Sequence, residues 1–144
     1  MFKMEHIHPM VVHFPIVLIL VGFLAELVYL FFRKELLLQA ASFWLLCAGA
    51  LMAIAAYFSG AFLTSELYGA AGTIQSTHEL FAEYTVFSSL IGATLKVYLK
   101  IEGREDTRLK WIAFAFYAAT AVLVCITGYY GGVLIYDYLI DGGA

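Results

Sequence analysis

The sequence predicts an all-α integral membrane protein, a four-helix bundle forming a single domain, and three observations predict it. Charged residues make up only 13% of the chain and hydrophobic residues 63%, whereas a soluble domain carries about 25% charged residues. Four apolar runs are each long enough to cross a hydrocarbon layer, which takes about 20 residues as a helix. Every lysine and arginine except Lys3 lies in or beside two of the turns between those runs.

The first span is expected over residues 15–32, where Arg33-Lys34-Glu35 stops it; at about 1.5 Å per residue it reaches roughly 27 Å. One cation, Lys3, precedes it, and a small-residue cleavage site is missing, so the run reads as a retained span. The second span, 40–63, ends at Thr64-Ser65-Glu66. A segment containing Gly and Thr, 68–77, is expected to be a loop. Ser76-Thr77-His78-Glu79 then places capping hydroxyls and an acid at the start of the third span, 78–100. Polar residues 102–110 turn the chain, and the fourth span, 111–136, finishes among Tyr129, Tyr130, Tyr136 and Tyr138 in an interfacial aromatic belt. Cys47 and Cys125 stand alone inside apolar runs and read as packing residues.

Arg33, Lys34, Lys96, Lys100, Arg104, Arg108 and Lys110 mark their two turns as cytoplasmic by the positive-inside rule. Both termini and residues 68–77 then face outward, as in a multi-pass protein of a bacterial inner membrane with a periplasmic face. That outer half carries Glu5, Glu66, Glu79, Glu83, Asp137 and Asp141, an acidic surface able to steer a basic soluble partner.

All four histidines fall on the outer side: His6, His8 and His13 at the opening of the first span and His78 at the opening of the third. On an ideal helix His8 and His13 stand about 140° apart, and Pro9 and Pro15 remove backbone donors around them. A bend is expected there, with the two imidazoles free to serve different partners. Neutral imidazole ligates haem iron, and it ligates zinc, copper or iron ions. His13 and His78 are the expected axial pair of a haem b, with His8 as an orienting neighbour or alternative ligand. Gly128, Gly131 and Gly132, with Ser59 and Gly60, lie at the same level and would let a flat cofactor approach the backbone. Gly128 and Gly132 also make a small-residue packing motif. For a lone metal ion the expected ligands are His6, His8, His13, His78 and Glu79. Glu26 lies within the first span and reads either as a proton-carrying acid or as the structural partner of Lys96. Neither a Ser-His-Asp arrangement, nor a phosphate-cradling glycine loop, nor a nucleic-acid-binding patch occurs in the sequence.

The motif His8-Pro-x-x-Val-His13-Phe-Pro-Ile, the acid Glu26, His78, and Gly128-Tyr-Tyr-Gly-Gly-Val-Leu-Ile-Tyr136 follow one another along the chain. Together they resemble a family of small bacterial membrane proteins, domain of unknown function 2231, over nearly the whole sequence. The resemblance implies a four-helix membrane fold and the company of respiratory or cytochrome-containing systems. Where members of that family often carry a His shortly after the final Tyr, this chain has Asp137-Tyr138.

The expected function is b-type-haem-binding electron transfer, between membrane quinol and a periplasmic electron carrier or respiratory complex, rather than stand-alone enzymatic catalysis. Two alternatives stay open: a divalent-metal-binding membrane protein, and a non-catalytic subunit that anchors a membrane complex. The small-residue motif is also compatible with a homo-oligomer.

Overall fold

In a computed structural model of the chain, residues 7–32, 35–103 and 108–140 are described. A short helix, α1 (Ile7–Val11), leads into four long ones: α2 (His13–Phe31), α3 (Leu36–Leu63), α4 (Gly69–Ile101) and α5 (Arg108–Val133). The last continues as π-helix over Leu134–Ile140. Helix α2 packs on α3, α3 on α4, α4 on α5, and α5 closes the ring on α2. The result is an all-α bundle with one shared interior.

Three helical stretches, His8–Phe31, Leu36–Leu63 and Arg108–Tyr138, are long and apolar enough to cross a membrane. Helix α4 is the longest at 33 residues, roughly 50 Å. It is not among those three, because it carries His78, Glu79, Glu83, Lys96 and Lys100 along its length.

Helix α2 shows which solvent the surface is built for. Phe14, Val17, Val21, Leu24, Val28 and Phe31 are exposed and recur at helical spacing, a continuous outward stripe of large apolar side chains. Its buried face carries Pro15, Ile19, Gly22 and Glu26 instead. An apolar exterior around a more polar interior is the reverse of a water-soluble helix and fits lipid.

The core is a cluster of Ile19, Leu46, Ala50, Ala93, Tyr117, Ala121 and Val124. Small residues let the helices approach: a Cβ at Gly49 would stand 2.7 Å from Ile19 Cγ1, so that glycine admits α2 against α3. Between α4 and α5 hydroxyls take over. Thr120 donates to Ser88 Oγ at 2.9 Å, Ser88 donates to the Phe116 carbonyl at 3.1 Å, and Thr85 and Thr127 hydroxyls lie 3.2 Å apart. Among the described residues every buried side-chain polar atom has a partner, as a low-dielectric interior demands.

One sequence expectation changes. The segment 68–77, expected as a loop, is helical from Gly69 onward. Gly69 takes φ +67°, which lets the chain turn sharply into the helix. The Gln75 side chain then reaches back, accepting from the Leu67 amide at 2.8 Å and donating to the Ser65 carbonyl at 3.3 Å. Ser76 and Thr77 hydroxyls bond to the Gly72 and Thr73 carbonyls one turn back, inside the helix rather than capping its start. Near the prolines the helix is interrupted at Val12, so His8 and His13 stand in separate helices, α1 and α2, as expected. Val12 stays in right-handed helical geometry, and its amide still bonds the His8 carbonyl at 3.1 Å. Pro9 sits in the first turn of α1, where its missing donor leaves no gap in the helix.

Candidate functional site

At the end of the bundle where α1 meets α3, His8 and His13 stand in different surroundings. His8 turns inward. Its Nδ1 lies 2.8 Å from Ser59 Oγ on α3, and Ser59 donates its own proton to the Ala56 carbonyl at 2.8 Å. Ser59 is therefore the acceptor, Nδ1 of His8 carries the hydrogen, and Nε2 keeps its lone pair.

His78, in the third turn of α4, makes the same choice by another route. Its Nδ1 donates to the Thr127 carbonyl of α5 at 2.9 Å, which again leaves Nε2 as the unprotonated nitrogen. The acceptor is a backbone carbonyl, whose second lone pair is open to the ring, and side-chain chemistry alone does not reveal it.

The two imidazoles meet, with ring centroids 6.3 Å apart and planes at 86°. Both are half-buried. Gly60 on α3 and Gly131 on α5 make room for them: a Cβ at either position would stand 3.1 Å from the Cε1 of His8 or His78 respectively. The glycines thus seat the imidazoles directly. Gly128 faces Ile16, and the space above Gly132 is open. The rings of Phe81, three residues along α4 from His78, and Tyr130, next to Gly131 on α5, stack at 5.8 Å.

His13 is exposed, and its Nδ1 donates to the Pro9 carbonyl at 2.5 Å, within its own turn. Glu79 and Glu83 are exposed on α4. His6, with Glu5 and Asp141, lies outside the described residues. Among the described residues no group of three or more His, Cys, Asp or Glu side chains is placed to hold a metal ion. The structure gathers two imidazoles here, not a full tetrahedral ligand set.

The donor chemistry fits a bis-imidazole centre. Metal-binding histidines commonly donate their second nitrogen to a protein oxygen that fixes the tautomer, and both rings do so. A haem b would be held by such a pair of imidazoles through their Nε2 atoms.

Toward the other end lies a second polar group. Lys96 Nζ contacts Glu26 Oε2 at 2.6 Å, Ser42 donates to the same oxygen at 2.5 Å, and Lys96 reaches Ser42 Oγ at 3.1 Å. Tyr117 donates to the Ser42 carbonyl at 3.4 Å. Glu26 is thus held as half of an ion pair among α2, α3 and α4. Ser42 and Tyr117 escape sequence reasoning because nothing in a lone serine within an apolar run points to a carboxylate on another helix.

The profile of a family described as Predicted membrane protein (DUF2231) matches residues 5–142. Neither a curated protein nor a solved structure matches the chain.

Proposed function

Because the chain belongs to the DUF2231 family of predicted membrane proteins, we propose that its four long helices cross a bacterial inner membrane. The cation-bearing turns lie in the cytoplasm, and the termini and the histidine end face the periplasm. The positive-inside rule supports this orientation.

The histidine pair carries the functional reading: a b-type-haem membrane electron-transfer protein in which His8 and His78 are the ligands. One observation carries it, the 6.3 Å approach of two imidazoles whose Nδ1 atoms are both committed to protein oxygens. Haem supplies one-electron chemistry when bound. The chain's contribution is orientation and exclusion of water. Ser59 and the Thr127 carbonyl hold the two Nε2 lone pairs ready, Gly60 and Gly131 let the rings sit close to α3 and α5, and Phe81 with Tyr130 supplies an apolar flank. This pairing replaces His13 with His8, since His13 is exposed and bonded within its own turn. Quinol as donor and a soluble carrier attracted to the acidic outer face extend the same reading.

The test is a visible spectrum of the purified protein, oxidised and reduced, with a pyridine haemochrome assay and metal analysis. A low-spin haem spectrum is expected, lost in His8→Ala and in His78→Ala and retained in His13→Ala. Loss in His13→Ala with retention in His8→Ala would overturn the assignment of His8. A protein that takes up zinc or copper but not haem would make the site a two-imidazole ion site. A second reading rests on the seating of each imidazole over a glycine: the rings lock helix ends together in a non-catalytic subunit. In that case the alanine variants lose assembly while no cofactor is ever bound.

A further inference from the structure

Opposite the histidine end, all four long helices contribute to a cleft of about 60 Å³ lined by Glu26, Tyr29, Gln39, Phe43 and the three lysines Lys96, Lys100 and Lys110, with apolar atoms between them. One water needs roughly 10–15 Å³ on this measure, so the cleft has room for a small polar group.

Three ammonium groups and one carboxylate line the cleft, an excess of two positive charges. The carboxylate is already neutralised, since Glu26 is the ion partner of Lys96. The other two ammonium groups rest on aromatic faces: Lys100 Nζ is 4.3 Å from the Phe43 ring centroid and Lys110 Nζ is 6.0 Å from that of Tyr29. An aromatic face holds a cation in place and leaves its N–H donors available for an anion. Glu35 and Glu102 at this end are exposed and do not line the cleft.

We propose that this cleft binds a phosphate-bearing anion, and that its source is the headgroup of an anionic phospholipid. Basic pockets between membrane helices take such headgroups. The surroundings favour a lipid over free phosphate: Phe43 meets the ring of Trp44, which is 65% exposed, and Leu36 and Leu37 are exposed on the same helix end. A headgroup in the cleft would leave its acyl chains against this apolar surface. The inference is independent of the histidine site, because it uses none of its residues.

Native mass spectrometry of the full chain in detergent, with added phosphatidylglycerol, phosphatidylcholine or inorganic phosphate, tests it. A single phosphatidylglycerol adduct is expected in preference to phosphatidylcholine. At about 1 kcal/mol per basic residue, the double variant Lys100→Gln/Lys110→Gln should weaken that adduct about 30-fold. Lys100→Arg/Lys110→Arg should keep it, as should Arg108→Gln, which removes a cation outside the lining. Equal adducts with phosphatidylcholine, or equal loss in Arg108→Gln, would overturn the site. Displacement of the lipid by millimolar phosphate that itself stays bound would overturn the lipid as its source.

Discussion

Lys96 Nζ and Glu26 Oε2 lie 2.6 Å apart, one on α4 and the other on α2, with only 14% and 5% of the side chains exposed. The pair bridges two helices across the bundle, and Ser42 completes the contact from a third. Removing one member strands the other charge. Lys96→Met or Glu26→Leu alone should therefore cost about 3 kcal/mol, and the double variant less than either single change. Unfolding in mixed micelles measures this; additive losses in the double variant would show that the two residues do not act as a pair.

Gly22 lies under the Tyr117 hydroxyl. A Cβ there would stand 2.1 Å from that oxygen and 2.7 Å from Leu45 Cβ, both well inside contact distance. Gly22→Ala should destabilise the protein by about 1–3 kcal/mol. Adding Tyr117→Phe should restore part of the loss and not all, since the Leu45 clash remains. Thermal melting of the three proteins decides it.

Substituting Gly131 and Gly132 separates a seat for an imidazole from space for something larger. Gly131→Ala presses on His78 Cε1 at 3.1 Å and Nδ1 at 3.4 Å, whereas Gly132→Ala meets nothing within 4 Å. Only the first should alter the spectrum of a centre held by His78. Equal effects from both would place the cofactor against Gly132 itself.

Ser59 is the one side-chain oxygen that fixes a histidine tautomer here, because His78 uses a backbone carbonyl. Ser59→Ala removes the side-chain acceptor that orients His8 Nδ1. Partners of this kind commonly contribute about 10–100-fold in metal affinity, so haem or metal retention should fall by that factor with the fold intact by circular dichroism. Unchanged affinity would mean that the Ser59 bond plays no orienting role.

The start of α4 depends on a side chain bridging back over the turn. Gln75→Ala removes both bonds to the Ser65–Leu67 strand of chain, and hydrogen exchange over residues 69–74 should accelerate by about tenfold for a loss near 1.4 kcal/mol. Protection unchanged from the parent would assign the helix start to Gly69 and its alanines alone.

Much of the architecture follows from hydropathy, because an apolar run of span length admits few structures in lipid. Helix α4 was harder to bound for a physical reason. Its first turns are polar and contain Gly69, Gly72 and Thr73, which favour a loop locally, and the bonds that override this come from Gln75 folding back. At the site, periodicity correctly separates His8 from His13, and the small residues Ser59, Gly60 and Gly131 fall at the right level. Which histidine faces His78 depends on the rotation of the α1 and α2 run against α3, and that is set by packing. The Thr127 carbonyl is invisible in sequence because every residue carries one. The contacts among Glu26, Ser42 and Tyr117 join three helices and become readable only when those helices are side by side.

The different starting points of α1 and α4 would have a kinetic consequence for the electron transfer proposed above. Helix α4 begins nine residues before His78, roughly 14 Å along its axis at about 1.5 Å per residue, whereas α1 begins one residue before His8. A soluble redox partner touching the start of α4 would then stand at that distance from His78, while one touching the start of α1 would come nearer to His8. The choice of landing place, set by the shape of the rim, would then govern how fast an electron leaves, even between two partners that bind equally well.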